Sequence, residues 1–290
     1  MERFCDLHTH SIYSDGSYTP AEIIDEAIKI GLSAVALTDH NTVDGLSAFI
    51  SAAQGKNIEI VPGAEFSVDH NGTELHILGL FITPEYFGDV SDLMTNVNRS
   101  KEESNIALIA SLGRAGYRLD YESIKSSTPN GRVNRAHIAN AMVKKGYIRS
   151  VKEGFDTVLS KSAGHYKEPQ RLTTKEIIGF INSINAVSVL AHPFLDLNER
   201  DLEGFLGAAK KQGLSGMECY YSAYDDETVK KSLNIANEFG LLCSGGSDFH
   251  GTTKPDIKLG FGKGNLRVPF ESYLSLKSPN KTCQFEKDTL

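Results

Sequence analysis

The chain has 290 residues, 40% of them hydrophobic, and a formal net charge of −7, which suffices for one α/β barrel or one domain carrying a large insertion. The acidic balance argues against a general nucleic-acid coat protein. No apolar stretch approaches the roughly 18 residues that span a bilayer, and no charged segment followed by an apolar one opens the sequence. Cys5, Cys219, Cys243 and Cys283 form no C-x-x-C pair, and the first three lie in apolar runs where a small buried thiol fits. A cytoplasmic protein with no membrane partner is expected.

Phe4 to His8 reads as a first strand and Pro20 to Ile30 as a helix, with Pro20 in its first turn, Ile23, Ile24, Ala27 and Ile28 on one face, and Gly31 ending it. Ala34 to Thr38 is a β-rich run, Val43 to Ala53 a second helix and Ile58 to Val61 the next strand. Such alternation implies parallel strands joined by crossover helices. Phe66 to Val68 and Glu74 to Phe81 flank Asp69-His70-Asn71-Gly72, and Asn-Gly supports a tight hairpin turn. That hairpin turns His76 back toward Glu65.

From about Pro84 to Gln170 the strand rhythm gives way to helical patterns at Asn105 to Leu112, Ile138 to Lys145 and Val151 to Leu159. The expected division is therefore a barrel of residues 1–83 and 171–290 with a helical insertion at 84–170. Strands resume at Ala186 to Ala191, Ser215 to Tyr220 and Leu241 to Gly245, separated by helices near Thr174 to Ser183, Leu202 to Gly213 and Glu227 to Phe239. About seven barrel strands result. The tail from Ser275 is polar and without pattern.

His8 and His10 are two apart at a strand end, so both imidazoles leave on one side and can share a cation. Thr38-Asp39-His40, Gly63-Ala64-Glu65, His76, Ala191-His192-Pro193 and Ser247-Asp248-Phe249-His250 repeat the theme at later strand ends. Strand ends that keep presenting His, Asp and Glu are what a multinuclear metal site needs, and the absence of cysteine among them speaks against a closed structural zinc site. No Gly-X-Ser-X-Gly elbow surrounds Ser11, Ser14 or Ser17, and the Gly245-Gly246 pair lacks the dinucleotide fingerprint. The charge is also unevenly placed: Arg99 to Lys175 holds fifteen Lys or Arg against seven Asp or Glu, a net of +8 that leaves −15 elsewhere. A basic segment within an acidic chain suits a polyanionic substrate, or a solvated helical face.

Asp6-Leu7-His8-Thr9-His10, Ser14-Asp15-Gly16, Thr38-Asp39-His40, Gly63-Ala64-Glu65, Ala191-His192-Pro193 and Gly246-Ser247-Asp248-Phe249-His250-Gly251 resemble the ordered motifs of the PHP (polymerase and histidinol phosphatase) superfamily. Arg135-Ala136-His137-Ile138-Ala139 leading to Val143-Lys144-Lys145-Gly146-Tyr147 is similar to the inserted segment of its stand-alone bacterial phosphoesterases, typified by 3′,5′-nucleoside bisphosphate phosphatase and 5′-3′ exoribonuclease. The sequence departs from them in Ala136, where that branch carries Pro, and in the longer stretch Lys167 to Arg171. The resemblance implies a distorted (β/α)7 barrel with two to three divalent ions, Mn²⁺, Fe²⁺ or Zn²⁺, in a cleft at the strand C-termini. It implies His8, His10, Glu65 and Asp248 around one ion, Glu65, His76 and His192 around a second, and Asp15, His40 and His250 around a third. Asp39 reads as a carboxylate behind the ligands rather than as one of them.

Six imidazoles and three carboxylates around three divalent ions leave a field near +3, which suits a phosphate. Bound metal lowers the pKa of water from ~15.7 to ~7 and clamps the oxygens of an in-line displacement. Asp15, His40, Glu65, His192, Asp248 and His250 are the expected catalytic set, with no nucleophilic side chain required. The branch implies release of the 3′-phosphate from nucleoside bisphosphates or 5′ trimming of short RNA. Arg132, Arg135, His137, Lys167 and Arg171 are the candidate phosphate contacts. Two other readings use the same residues: a small-metabolite phosphatase acting on a compound such as histidinol phosphate, and a non-catalytic module of the kind found inside polymerases.

Overall fold

A computed structural model describes residues 2–128, 131 and 133–278. Thr19 caps the first helix: its hydroxyl accepts from the Glu22 N–H while Glu22 reaches back to the Thr19 N–H, so two of the orphan donors at that end are satisfied. Thr173 and Glu176 repeat the device further on. In the predicted hairpin both Asn71 (φ 54°) and Gly72 (φ 84°) have positive φ, the conformation a two-residue turn demands.

The elements run β1 (Phe4–Asp6), α1 (Pro20–Lys29), β2 (Ala34–Leu37), α2 (Leu46–Ala53), β3 (Glu59–His70), β4 (Thr73–Leu80), α3 (Phe87–Arg114), α4 (Tyr121–Ser127), α5 (Arg135–Lys144), α6 (Val151–Asp156), β5 (Leu172–Thr173), α7 (Thr174–Ser183), β6 (Val187–Leu190), α8 (Pro193–Asp196), α9 (Glu199–Lys211), β7 (Gly216–Tyr221), α10 (Asp226–Glu238), β8 (Leu242–Gly246), β9 (Val268–Pro269) and α11 (Phe270–Lys277). The sheet order is β8-β7-β6-β4-β3-β2-β1-β9, with β5 on β3. Closure comes where β1 meets β8: the Leu7 N–H donates to the Gly245 carbonyl (3.1 Å), and the Asp248 N–H to the His8 carbonyl (2.9 Å). Seven strands thus form a distorted barrel in which β4 runs antiparallel to both neighbours.

Alternation along the strands sorts side chains into two cores. Val35 and Leu37 pack outward with Ile23, Ile24 and Phe49 of the helices, whereas Ala34 and Ala36 point inward with Cys5, Leu7, Leu78 and Val189. Phe270, Tyr273 and Leu276 of α11 complete that inner cluster at the N-terminal ends of β1 and β3, so the barrel is plugged opposite the His-rich strand ends. Burying three such side chains contributes about 1.5–3 kcal/mol each.

Three expectations are corrected. The expected strands Ile58–Val61, from Glu59 on, and Phe66–Val68 belong to one twelve-residue strand, β3, which pairs with β2 up to Pro62 and with β4 from Gly63. Ser275 to Lys277, expected to open a patternless tail, are instead the last residues of α11. The insertion opens with a 28-residue helix where the pattern predicted only Asn105 to Leu112. Val90, Met94 and Val97 of α3 pack in the main core, while Leu108, Ile109 and Leu112 join Tyr121, Ile138 and Met142 in a separate cluster. Among the described residues no helix is long and apolar enough to cross a membrane.

Candidate metal centre

Past the end of β1, His8 and His10 turn toward each other until their Nε2 atoms lie 3.1 Å apart. Glu65, on β3 just beyond its change of partner, stands beneath them. Its Oε2 is 3.3 Å from His8 Nε2, 3.2 Å from His10 Nε2 and 2.9 Å from His40 Nδ1. Its Oε1 is 2.8 Å from His76 Nδ1 and 3.1 Å from His192 Nε2. Asp248 Oδ1 approaches His10 Nε2 (3.2 Å), and Asp15 Oδ1 approaches His250 Nε2 (3.1 Å). All nine residues singled out in the sequence therefore meet in one cleft.

Strand-end hydrogen bonds hold this arrangement. The His10 N–H donates to Phe249 O, the Glu65 N–H to Asp39 O and the Ala191 N–H to His76 O. Gly246 is required where β8 passes β1, since a Cβ there would lie 2.4 Å from His8 Cβ. His192 (φ 28°) and Asp248 (φ 56°) occupy positive-φ backbone, which costs of order 1–3 kcal/mol and persists where surrounding contacts force it.

The donor chemistry fits cations. Two imidazole nitrogens face each other at hydrogen-bond distance, and the buried atoms Glu65 Oε2 and His250 Nε2, for all their close neighbours, have no partner in hydrogen-bonding geometry. Three sets have donor atoms within 4.8 Å of one another: His10, Asp15, His40 and His250; His8, His10 and Glu65; and His40, Glu65 and His76. Neutral imidazole nitrogens and carboxylate oxygens suit divalent transition metals.

Burial opposes ionisation throughout this cluster, but close partners override it at most positions. The carboxyls are held well below their usual range: Asp15 by His250 and His40, Glu65 by His40, His76 and His8, Asp248 by His250 and Lys254. Against the same burial, Asp248 and Glu65 lift His10 to about 9, and Glu65 lifts His76 to about 10. At His40 burial wins and lowers it to about 4. These neighbours favour the protonated forms of His10 and His76, and Glu218 and Glu65 that of His8, so a metal entering the cluster has to displace protons. Metal loading should release protons and strengthen as pH rises from about 6 toward the values of about 9 and about 10 at His10 and His76, measured by calorimetry in buffers of different ionisation enthalpy. Binding indifferent to both would place the cation elsewhere.

Behind the nine stand Asp39, read from the sequence as a supporting carboxylate, and Asp6, Glu218, Tyr221 and Lys254, whose roles no motif spacing revealed. Asp6 is buried and accepts from Ser247 N–H (2.9 Å), Ser247 Oγ (2.5 Å) and Gly260 N–H (2.8 Å). Glu218 accepts from both His8 and the His192 backbone. Tyr221 and Lys254 donate to Asp248 Oδ2 at 2.9 and 2.8 Å. Asp39 accepts from Ser11 N–H, Ser11 Oγ and Ser14 Oγ, so it braces the loop carrying Asp15 rather than touching His40.

The cleft divides into two arms around Asp15, His40, Asn41, Lys101 and Asn134. One, of about 490 Å³, runs past Met94, Asn98, Arg99 and Tyr121; the other, of about 240 Å³, past His76, Arg135, Phe155, Tyr166 and Arg171. Lys101 lines both, and burial pushes its ammonium below the usual range. The Arg135 guanidinium lies 4.3 Å from the Tyr166 ring centre and 5.3 Å from that of Phe155. Arg171 is engaged by Glu74 at 2.7 Å. His137 Nδ1 accepts from the Asn134 N–H, closing a capping box on α5, and the Asn134 side chain donates to Asp15 Oδ2 (2.9 Å). Lys167 is exposed and lines neither arm. His165 Nδ1 sits 3.0 Å from Ser111 Oγ, away from the cluster. Arg132 lies outside the described residues.

The comparisons extend these geometric observations. A curated 3′,5′-nucleoside bisphosphate phosphatase of Chromobacterium violaceum is 29% identical over 247 residues, 84% of this chain and 86% of that protein. A 5′-3′ exoribonuclease of Haemophilus influenzae is 27% identical over 251 residues, 86% of this chain and 91% of that one. In fold, the chain is similar to a crystal structure described as a putative metal-dependent phosphoesterase from Bifidobacterium adolescentis, with a TM-score of 0.82 at 24% identity over 94% of this chain and 95% of that one. The PHP domain model matches residues 6–186, a span that runs from the last residue of β1 through β5 and takes in the insertion and most of the His, Asp and Glu cluster: the chain belongs to the PHP domain family.

Proposed function

We propose that the protein is a metal-dependent phosphoesterase that hydrolyses a nucleotide phosphate ester, taking the 3′-phosphate from a 3′,5′-nucleoside bisphosphate or trimming short RNA from its 5′ end. The observation that carries this reading is Glu65, whose two oxygens face five imidazole nitrogens within 3.3 Å, as a carboxylate bridging two cations must. His8, His10 and Asp248 would hold one ion with Glu65, His76 and His192 a second with it, and Asp15, His40 and His250 a third, the ions being Mn²⁺, Fe²⁺ or Zn²⁺. Bound there, they would activate water at neutral pH and supply charge to meet the phosphoryl oxygens. His192, Asp248 and His250 would each help hold an ion beside the phosphate, and Lys254 and Tyr221 hold Asp248 in place.

The insertion, residues 84–170, acts in this reading as a lid over the substrate. Asn134 ties it to Asp15, and Arg135 and Lys101 bring cationic groups beside the cluster. Aromatic residues in both arms, Tyr121 in one and Phe155 with Tyr166 in the other, favour a substrate bearing a base over a small metabolite. The buried, unpaired thiols Cys5, Cys219 and Cys243 accord with a reducing cytoplasm. The test is phosphate release by the metal-loaded protein from a nucleoside bisphosphate, a nucleoside monophosphate, short RNA and histidinol phosphate. Preference for the bisphosphate or the RNA is expected. Faster turnover of histidinol phosphate would transfer the assignment to small-metabolite phosphatases.

A further inference from the structure

We propose that Glu218 is the positioning carboxylate of the metal centre, holding the His8 proton on Nδ1 so that the Nε2 lone pair faces the ion, and fixing the backbone turn that presents His192. The inference rests on the proposed metal centre and concerns a residue that none of the nine-ligand assignments includes. Glu218 is fully buried. Its Oε1 lies 3.0 Å from His8 Nδ1 and its Oε2 accepts the His192 N–H at 2.6 Å, so both oxygens are engaged away from the cluster. None of the three close donor sets contains it.

The tautomer follows from hydrogen-bonding capacity. A carboxylate only accepts, so His8 Nδ1 must donate, and in the neutral imidazole that a metal requires Nε2 is then left with its lone pair. That Nε2 is the atom 3.1 Å from His10 Nε2 and 3.3 Å from Glu65 Oε2. The second oxygen acts on backbone: His192 sits at φ 28° and ψ 53°, an unfavourable conformation for a residue with a side chain, and the short bond from its N–H to Glu218 holds it there. One carboxylate on β7 therefore sets one ligand just past β1 through its ring and another after β6 through its main chain.

The strand is built to allow this. Glu218 is in register with Ser244 and Tyr220 with Gly245, so β7 bulges between them. In a regular strand residues three apart face opposite sides; the bulge lets both Glu218 and Tyr221 reach the centre, Tyr221 donating to Asp248. Bulges that re-aim side chains in this way recur beside active sites.

Glu218→Gln keeps the volume but offers one accepting oxygen where two donors need one, so either His8 loses its fixed proton or the His192 N–H faces an amide NH₂. The expected result is a loss of metal affinity of roughly ten- to a hundred-fold, measured as the dissociation constant of Zn²⁺ or Mn²⁺ against a chromophoric chelator, with unchanged maximal stoichiometry. Glu218→Asp, which restores two accepting oxygens on a shorter stem, should recover part of it. A parent protein that binds metal tightly and a folded Glu218→Gln protein with the same affinity would overturn the inference and leave the metal centre standing. A stoichiometry lower by one ion would also overturn it, making Glu218 a ligand. A carboxylate serving the fold alone would lower the melting temperature of the metal-free protein and leave the affinity of its folded fraction untouched. Should the parent itself bind no metal, the proposed function fails as a whole.

Discussion

Glu65→Gln should reduce phosphate release by about 10³-fold or more while the protein stays folded. The substitution preserves volume at a site buried beneath five imidazoles, but a neutral amide can neither bridge two cations nor offset their charge. Metal-held hydroxide and charge neutralisation together are worth several kcal/mol, and about 1.36 kcal/mol corresponds to each decade of rate. The same variant should bind fewer ions, because two of the proposed sites share this one residue. Metal content by mass spectrometry, circular dichroism and phosphate release separate loss of the centre from loss of the fold. Turnover within a few-fold of the parent, with a full metal complement, would remove Glu65 from the bridging position.

Arg135→Ala is expected to discriminate among substrates. The guanidinium is held by Tyr166 and Phe155 in the arm that also contains His76 and Arg171, so it can meet a phosphate remote from the reacting one without rearranging. A charge-assisted contact of this kind is worth ~1.5–3 kcal/mol, roughly ten- to a hundred-fold in kcat/KM on a nucleoside bisphosphate. A small generic phosphomonoester, with no second phosphate, should lose far less. Both efficiencies are measured at one fixed salt concentration, because exposed charge is screened. Equal losses on the two substrates would put Arg135 at the reacting phosphate or in the fold.

What the sequence disclosed, and what it hid, divides along physical lines. Strands and helices of the barrel were legible because each carries a short regular period, and the candidate ligands were legible because they stand at strand ends in compact motifs such as Asp6 to His10 and Ser247 to His250. The continuity of β3 was hidden by Pro62-Gly63, which reads as a break. In the fold Pro62 lends its carbonyl to the Ile82 N–H, and Gly63 is needed because a Cβ would lie 2.6 Å from Gly79 O. The long α3 was hidden because its first half buries only Val90, Met94 and Val97, too sparse a stripe to announce a helix. The beginning of α11 was missed because its signal, Phe270, Tyr273 and Leu276, spans barely two turns.

The supporting roles of Glu218 and Asp6 stayed invisible for a different reason. Glu218 and Asp6 meet their partners only after the barrel closes, through contacts 210 residues apart for Glu218 with His8 and 241 apart for Asp6 with Ser247. No local spacing encodes such a pair. A buried acid inside an apolar strand, as in Met217-Glu218-Cys219, was the one available signal, since an unpaired charge there would be costly. Among the phosphate candidates, Arg135 reaches an arm of the cleft, Arg171 is held by Glu74, and His137 is committed to a helix cap; composition alone assigns a cation to a segment and not to a partner.

The central claim is that this cluster hydrolyses a phosphate ester by means of bound divalent metal. The most direct measurement strips the protein with a chelator, returns Mn²⁺, Fe²⁺ or Zn²⁺ stepwise, and follows phosphate release from a 3′,5′-nucleoside bisphosphate against ions bound per chain. The account predicts no release from the stripped protein and recovery that tracks the filling of two to three sites. Phosphate release that persists without metal, or full loading of the cluster with no release from bisphosphate, monophosphate or RNA, would contradict it.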